Sequence, residues 1–123
     1  LGEVVNGVKQ MENKIHWPWV IAGVVLMAAL SWGNGQPEAA GLIPAPWDKL
    51  VHFLVFGGLT WVFLLGLGRP RWWLVLSVVA GFAGYDELRQ FTLPGRHPGL
   101  DDLAADMIAI IAVTTANRWA ARS

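Results

Sequence analysis

Cysteine is absent from the 123 residues. That excludes disulfides, thiolate metal sites and cysteine nucleophiles, and leaves the redox compartment unread. Charge is scarce too: 15% of the residues are Asp, Glu, Lys or Arg, against about a quarter in a soluble domain. Nine Lys+Arg balance nine Asp+Glu, so neither a nucleic-acid partner nor an acidic disordered tail is indicated. No Gly-rich phosphate loop, serine nucleophile elbow or H-E-x-x-H pair occurs, and Gly33-x-Gly35 lacks the rest of a nicotinamide fingerprint. Repeats, low-complexity tracts and linkers that would divide the chain are missing as well. Tyr occurs once, whereas Trp occurs eight times, and Trp favours the boundary between lipid and water.

What is present is apolar: 54% of the residues are hydrophobic and the mean hydropathy is +0.44. The length suits one domain, and the composition suits an integral membrane protein. A bilayer core takes about 20 helical residues, and only helices satisfy their own backbone groups in lipid when strands are isolated. Four spans are expected, at about 18–36, 49–68, 72–92 and 101–118, giving an all-α four-transmembrane-helix bundle over residues 17–119. The third and fourth reach membrane length only if they take in charged ends, which is costly and marks function by default. Ala80/Gly84, Ala105/Ala109, Ala112/Ala116 and Gly57-Gly58 are small residues that let helices approach closely.

Residues 1–16 form a leader. Val4, Val8, Met11 and Ile15 fall on one helical face, so it is either an amphipathic helix on the membrane or a frayed polar segment. No clear small-x-small cleavage site ends the first apolar run, which is therefore read as a span and not as a signal peptide. The chain opens at Leu1 without Met, which leaves room for residues ahead of it. With four spans, Lys9, Lys14, Arg69, Arg71, Arg118 and Arg122 share one side, while Lys49, Arg89 and Arg96 share the other. The positive-inside rule then puts both termini in the cytoplasm. Trp17, Trp19, Trp72, Trp73 and Trp119 form a cytoplasmic belt, with Trp32 and Trp47 on the outer face.

The acidic residues collect on that outer face: Glu38, Asp48, Asp86, Glu87, Asp101, Asp102 and Asp106, with His52 and His97. Asp48 and His52 are four apart and share a face of the second helix, Glu87 and Gln90 lie three apart on the third, and Asp102 and Asp106 four apart on the fourth. Arg96 sits in the connection Pro94-Gly95-Arg96-His97-Pro98-Gly99. Two helix N-termini aimed at this place favour an anion, Arg96 suits bidentate phosphate or carboxylate, and His52 moves a proton near neutral pH.

The strings DKLVHFLVFGGL (Asp48 to Leu59), ELRQFTLPGR (Glu87 to Arg96) and DLAAD (Asp102 to Asp106) resemble the VanZ-like family of small bacterial membrane proteins. The family pattern is D-K-x-x-H-F, then E-x-x-Q with a downstream P-x-R, then D-x-x-x-N on the last helix. The resemblance covers about residues 47–110 and puts Asp48, Lys49, His52, Glu87, Gln90, Arg96 and Asp102 at motif positions. Asp106 stands where the family usually has Asn, and Gly99 where a Ser is common. The resemblance implies a multi-pass protein of the bacterial cytoplasmic membrane. Through more distant similarities it also implies chemistry on lipid head groups.

Two functions stay open. In the first, the protein binds or modifies lipid-linked anionic head groups of the cell envelope. His52, Glu87 and Asp102 are then catalytic, with His52 as acid/base, and Asp48, Lys49, Gln90, Arg96 and Asp106 bind substrate. In the second, the chain is a non-catalytic accessory subunit packed against a larger membrane protein complex, and the cluster is a structural polar lock. A divalent cation is a candidate ligand, because carboxylates with one imidazole suit Mg, Mn or Ca better than Zn. Each residue also has a plain structural role to weigh. Asp48, Asp101 and Asp102 suit helix caps, Glu87 suits an ion pair with Arg89, Arg96 or Lys49, and His97 suits exposure to solvent. Capping leaves Asp106, a turn inside the fourth helix, unexplained. A channel fits less well, since Thr60 and Ser77 alone lie at mid-membrane.

Overall fold

The computed structural model describes residues 2–3, 14–36, 47–92 and 100–120. Helix α1 (Trp17–Asn34) has Pro18 in its first turn, where a missing N–H costs nothing. Helix α2 (Trp47–Leu67) follows Pro46 and carries Asp48 in its first turn, which complements the positive end of the helix. It stops at Gly68, whose φ of 87° is open to glycine at little steric cost, and Gly68 N–H donates back to Leu64 O at 2.9 Å. A 3-10 turn over Arg69–Arg71 leads into α3 (Trp72–Arg89), which tightens into a second 3-10 turn at Gln90–Thr92. Helix α4 (Leu100–Ala120) starts with Asp101 and Asp102 and carries Arg118 in its last turn. No strand occurs among the described residues.

The contacts fix the directions. His16 N–H donates to Gly66 O at 2.7 Å, so α1 begins where α2 ends. The last turns of α1 and α3 meet through Asn34 and Asp86, and the first turns of α2 and α4 meet through Lys49 and Asp102. The four helices therefore alternate in direction, with α2 touching all three others. The core between them is Phe56, Leu59, Phe63 and Leu64 of α2, Val75, Val79 and Ala83 of α3, and Ala109 and Ile110 of α4.

Two of the four, α1 and α2, are long and apolar enough to cross a membrane; α3 and α4, with their carboxylates, do not meet that standard. The burial pattern is inverted relative to a water-soluble bundle. Ile21, Val25, Leu54, Trp61, Ile108 and Ile111 face outward, while Thr60, Asp86, Asp106, Thr114 and Asn117 are buried. Large outward apolar surface on a soluble protein marks an interaction face, and here it runs around all of α1, where Gly23 alone is buried. The expected leader falls mostly outside the described residues, as do Glu38, Arg96, His97 and Gly99.

Small residues do bring helices close, though not all of those the sequence suggests. A Cβ on Gly57 would stand 3.4 Å from Val113 Cγ2 and 3.9 Å from Ala109 Cβ, so Gly57 and Ala109 form a close α2–α4 contact. Gly58 and Gly84 meet nothing within 4 Å, and Ala112 and Ala116 face outward. The tightest approach is elsewhere: a Cβ on Gly66 would lie 2.7 Å from the backbone nitrogen of Val20, and one on Gly23 2.8 Å from the Phe63 ring. Backbone cannot yield as a side-chain tip can, so Gly66→Ala should loosen α1 from α2 and cost about 1–3 kcal/mol. Thermal unfolding in detergent measures this, and an unchanged midpoint would contradict the tight crossing.

Candidate functional site

The polar groups lie at the end of the bundle where α2 and α4 begin and α1 and α3 finish, and they form two layers. In the outer layer Lys49 Nζ sits 2.8 Å from Asp48 Oδ2 and 2.8 Å from Asp102 Oδ1. One turn deeper, His52 Nδ1 lies 2.8 Å from Asp106 Oδ1. Side-chain exposure falls from 33% at Lys49 through 22% at His52 to 2% at Asp106, which makes Asp106 the floor of the site. The spacing of four residues on both parallel helices produces this layering, because equivalent positions one turn apart stack on the same face. The His52 ring also stacks on Phe56, with centroids 6.1 Å apart and planes within 7°.

Helix α3 adds Asp86, Glu87 and Gln90, all buried. Asp86 Oδ2 accepts a hydrogen bond of 3.2 Å from Asn34 Nδ2 on α1. Its charge is close enough to act on both His52 and Asp106, as is that of Asp102. Arg89 turns away from the carboxylates: its Nη1 donates to Ser31 O at 2.8 Å and to Ser31 Oγ. The guanidinium crosses Gly35, where a Cβ would run into Nη2 at the flexible tip of Arg89. The end of α1 is thus held to the end of α3 by Asn34–Asp86 and Arg89–Ser31.

The structure brings Asp48, Lys49, His52, Asp102 and Asp106 together and adds buried Glu87 and Gln90 at the same end; Arg96 lies outside the described residues. The carboxylate that meets the imidazole is Asp106, and Asp102 meets Lys49 instead. Sequence reasoning passed over Asp86 and Asn34 as site residues. Asp86 was visible as one of the acidic group, but nothing in the spacing pairs it with an amide 52 positions earlier. Lys49 N–H donates to Asp48 Oδ1 at 2.9 Å, so this carboxylate serves the first turn of α2 as well as the ammonium. Among the described residues, no three His, Asp and Glu side chains converge to hold a metal ion.

The His–Asp arrangement has a definite chemical sense. A carboxylate accepting from Nδ1–H leaves the lone pair of a neutral imidazole on Nε2, which is the tautomer suited to taking a proton. The ammonium of Lys49 has three protons and two carboxylate partners, so one N–H stays available for an anion. The arrangement suits proton transfer beside a bound oxyanion.

The family model described as VanZ/LLP1 matches residues 5–119. No curated protein and no solved structure matches the chain.

The inner pair also has a structural cost. Removing the partner of a buried carboxylate leaves that group unsatisfied, at about 1–3 kcal/mol or more for a charged group, whereas replacing both with apolar groups is often near neutral. His52→Leu alone should therefore destabilise the protein by about 3 kcal/mol, and the double change His52→Leu/Asp106→Leu should recover most of it. A double-mutant cycle on unfolding in micelles reads the coupling, and additive losses would show that the two side chains act independently.

Proposed function

The chain belongs to the VanZ/LLP1 family, and from that premise we propose that it is a multi-pass protein of the bacterial cytoplasmic membrane. All four helices of residues 17–119 cross the bilayer, and both termini lie on the cytoplasmic side. The outward site binds or modifies lipid-linked anionic head groups. The observation that carries this reading is the His52–Asp106 pair, 2.8 Å apart one turn beneath the Lys49–Asp102 pair. A buried carboxylate held against an imidazole at a membrane edge is expensive to keep for packing alone.

In this reading His52 is the general acid/base and Asp106 positions it. Lys49, steadied by Asp48 and Asp102, holds the phosphate of the head group together with Arg96. Glu87 and Gln90 border the pocket from α3. The N-termini of α2 and α4 add unpaired N–H groups on the anion's side. The inverted burial of apolar and polar residues supports four crossings, since α3 and α4 place their carboxylates at one end and apolar surface around the rest.

The test is head-group turnover and retention by the reconstituted protein, followed by mass spectrometry of envelope lipids. For a protein that modifies head groups, His52→Gln lowers turnover at least about 100-fold, the contribution of a positioned acid/base. Asp106→Asn, which installs the residue usual in the family and keeps an acceptor for Nδ1, should lower turnover far less than His52→Gln. For a protein that only binds, Lys49→Gln and Arg96→Gln lower retention. Unchanged turnover and retention in all four variants would remove the reading.

The bare flank of α1, where Trp17, Ile21 and Val25 face outward, favours the second reading, an accessory subunit seated beside a larger membrane complex. Mass measurement after gentle solubilisation separates the two, because a free monomer or homo-oligomer argues against a partner complex.

A further inference from the structure

The end of the bundle opposite the carboxylates has its own constellation. There α1 starts, α2 finishes at the 3-10 turn, α3 starts and α4 finishes. It carries Lys14, Arg69, Arg71 and Arg118, whereas every described carboxylate from Asp48 onward lies at the far end. The Arg118 guanidinium carbon stands 4.4 Å from the centre of the Trp72 ring, joining the last turn of α4 to the first of α3. Arg71 Nη1 donates to Leu67 O at 2.8 Å, which fixes a second guanidinium beside the turn. Trp17, Trp73 and Trp119 are exposed around this end, at 60%, 59% and 71%, and set it at the depth where indole rings meet lipid head groups.

Beneath Arg118 on the same helix two polar atoms are unmet. Thr114 is 4% exposed and Asn117 7%, and both Thr114 Oγ1 and Asn117 Oδ1 are buried without a hydrogen-bond partner. Native interiors rarely leave such groups unpaired. Thr114 and Arg118 are four apart and Asn117 is adjacent, so all three lie on one face of α4.

We propose that this end is a binding site for an anionic phospholipid, centred on Arg118. Stacking on Trp72 occupies the face of the guanidinium and leaves its in-plane N–H groups for two phosphate oxygens. Thr114 Oγ1 and Asn117 Oδ1, buried beneath Arg118, mark where water drawn in with the bound head group would be held. The basic cluster gives the sign of the charge, and the indole belt gives the source as lipid in place of soluble phosphate. The site shares no residue with the His52 pocket and does not depend on its function.

The experiment is lipid retention by the full chain in detergent, read by native mass spectrometry with phosphatidylglycerol, phosphatidic acid and phosphatidylcholine. The expected result is phosphatidylglycerol retained several-fold over phosphatidylcholine. Arg118→Gln should lower that ratio about fivefold, the effect of one basic side chain at an anionic surface. Phosphatidic acid, anionic as well, should be retained over phosphatidylcholine in the same way. His52→Gln should leave the ratio where it was. A wild-type ratio near one, or an unchanged ratio in folded Arg118→Gln, would overturn the proposal. If Arg118→Gln does not fold, Arg118→Lys takes its place: it keeps the charge and loses the planar fork, so an undiminished ratio also overturns it.

Discussion

The hydrogen bond between His52 and Asp106 joins two parallel helices whose contacting residues are 54 positions apart in the chain. A carboxylate with 2% of its side chain exposed is tolerable in a low-dielectric interior only with a partner in place. The partner must sit at one height on α2, and that requirement sets the register of α2 against α4. Lys49 then falls opposite Asp102 one turn outward. Gly57 falls opposite Val113 and Ala109 farther inward, and Leu59 and Ile110 fill the space between the helices with no exposed surface. Charge, small-residue contact and apolar core all follow one alignment.

The rest of the bundle is arranged around that seam. Helix α3 covers it and brings Asp86 near both members of the pair. Helix α1 lies outside, touching α2 through glycine at one end and α3 through Asn34 and Arg89 at the other. The outward surface is largely apolar, and in the proposed four-span arrangement water does not drive these helices together as it would in a soluble bundle. In such a setting close packing and interhelical hydrogen bonds specify association. This explains why the polar contacts fall at the helix ends while glycines mark the crossings.

Much of this was legible in the sequence. Runs of apolar residues broken at Pro46, Gly68 and the Pro94-Gly95 pair give four helices near their observed limits. The four-residue spacings of Asp48/His52 and Asp102/Asp106 put the right side chains at one end. Spacing cannot say which carboxylate meets which base, because that depends on the relative height of two helices. So the sequence groups Glu87 and Asp102 with His52 as catalytic and Asp106 with the binding residues, while the carboxylate 2.8 Å from the imidazole is Asp106 and Asp102 meets Lys49. Nor does spacing show that Asn34, at the end of an apolar run, reaches Asp86. The small-residue pattern misled for a related reason: Gly58, Ala112 and Ala116 have the spacing of a packing face but lie on the outer one. Periodicity gives a stripe on each helix, and tertiary contact decides which stripe turns inward.

That α2 and α4 complete each other has a consequence for biogenesis. In the proposed topology α2 enters the bilayer before Asp106 is synthesised, so its imidazole lacks the carboxylate that will sit 2.8 Å away. Until α4 arrives, the second helix presents that ring without its final partner. An interrupted chain that ends before Leu100 stays in that condition permanently, which gives a membrane protease a chemical difference between unfinished and finished copies.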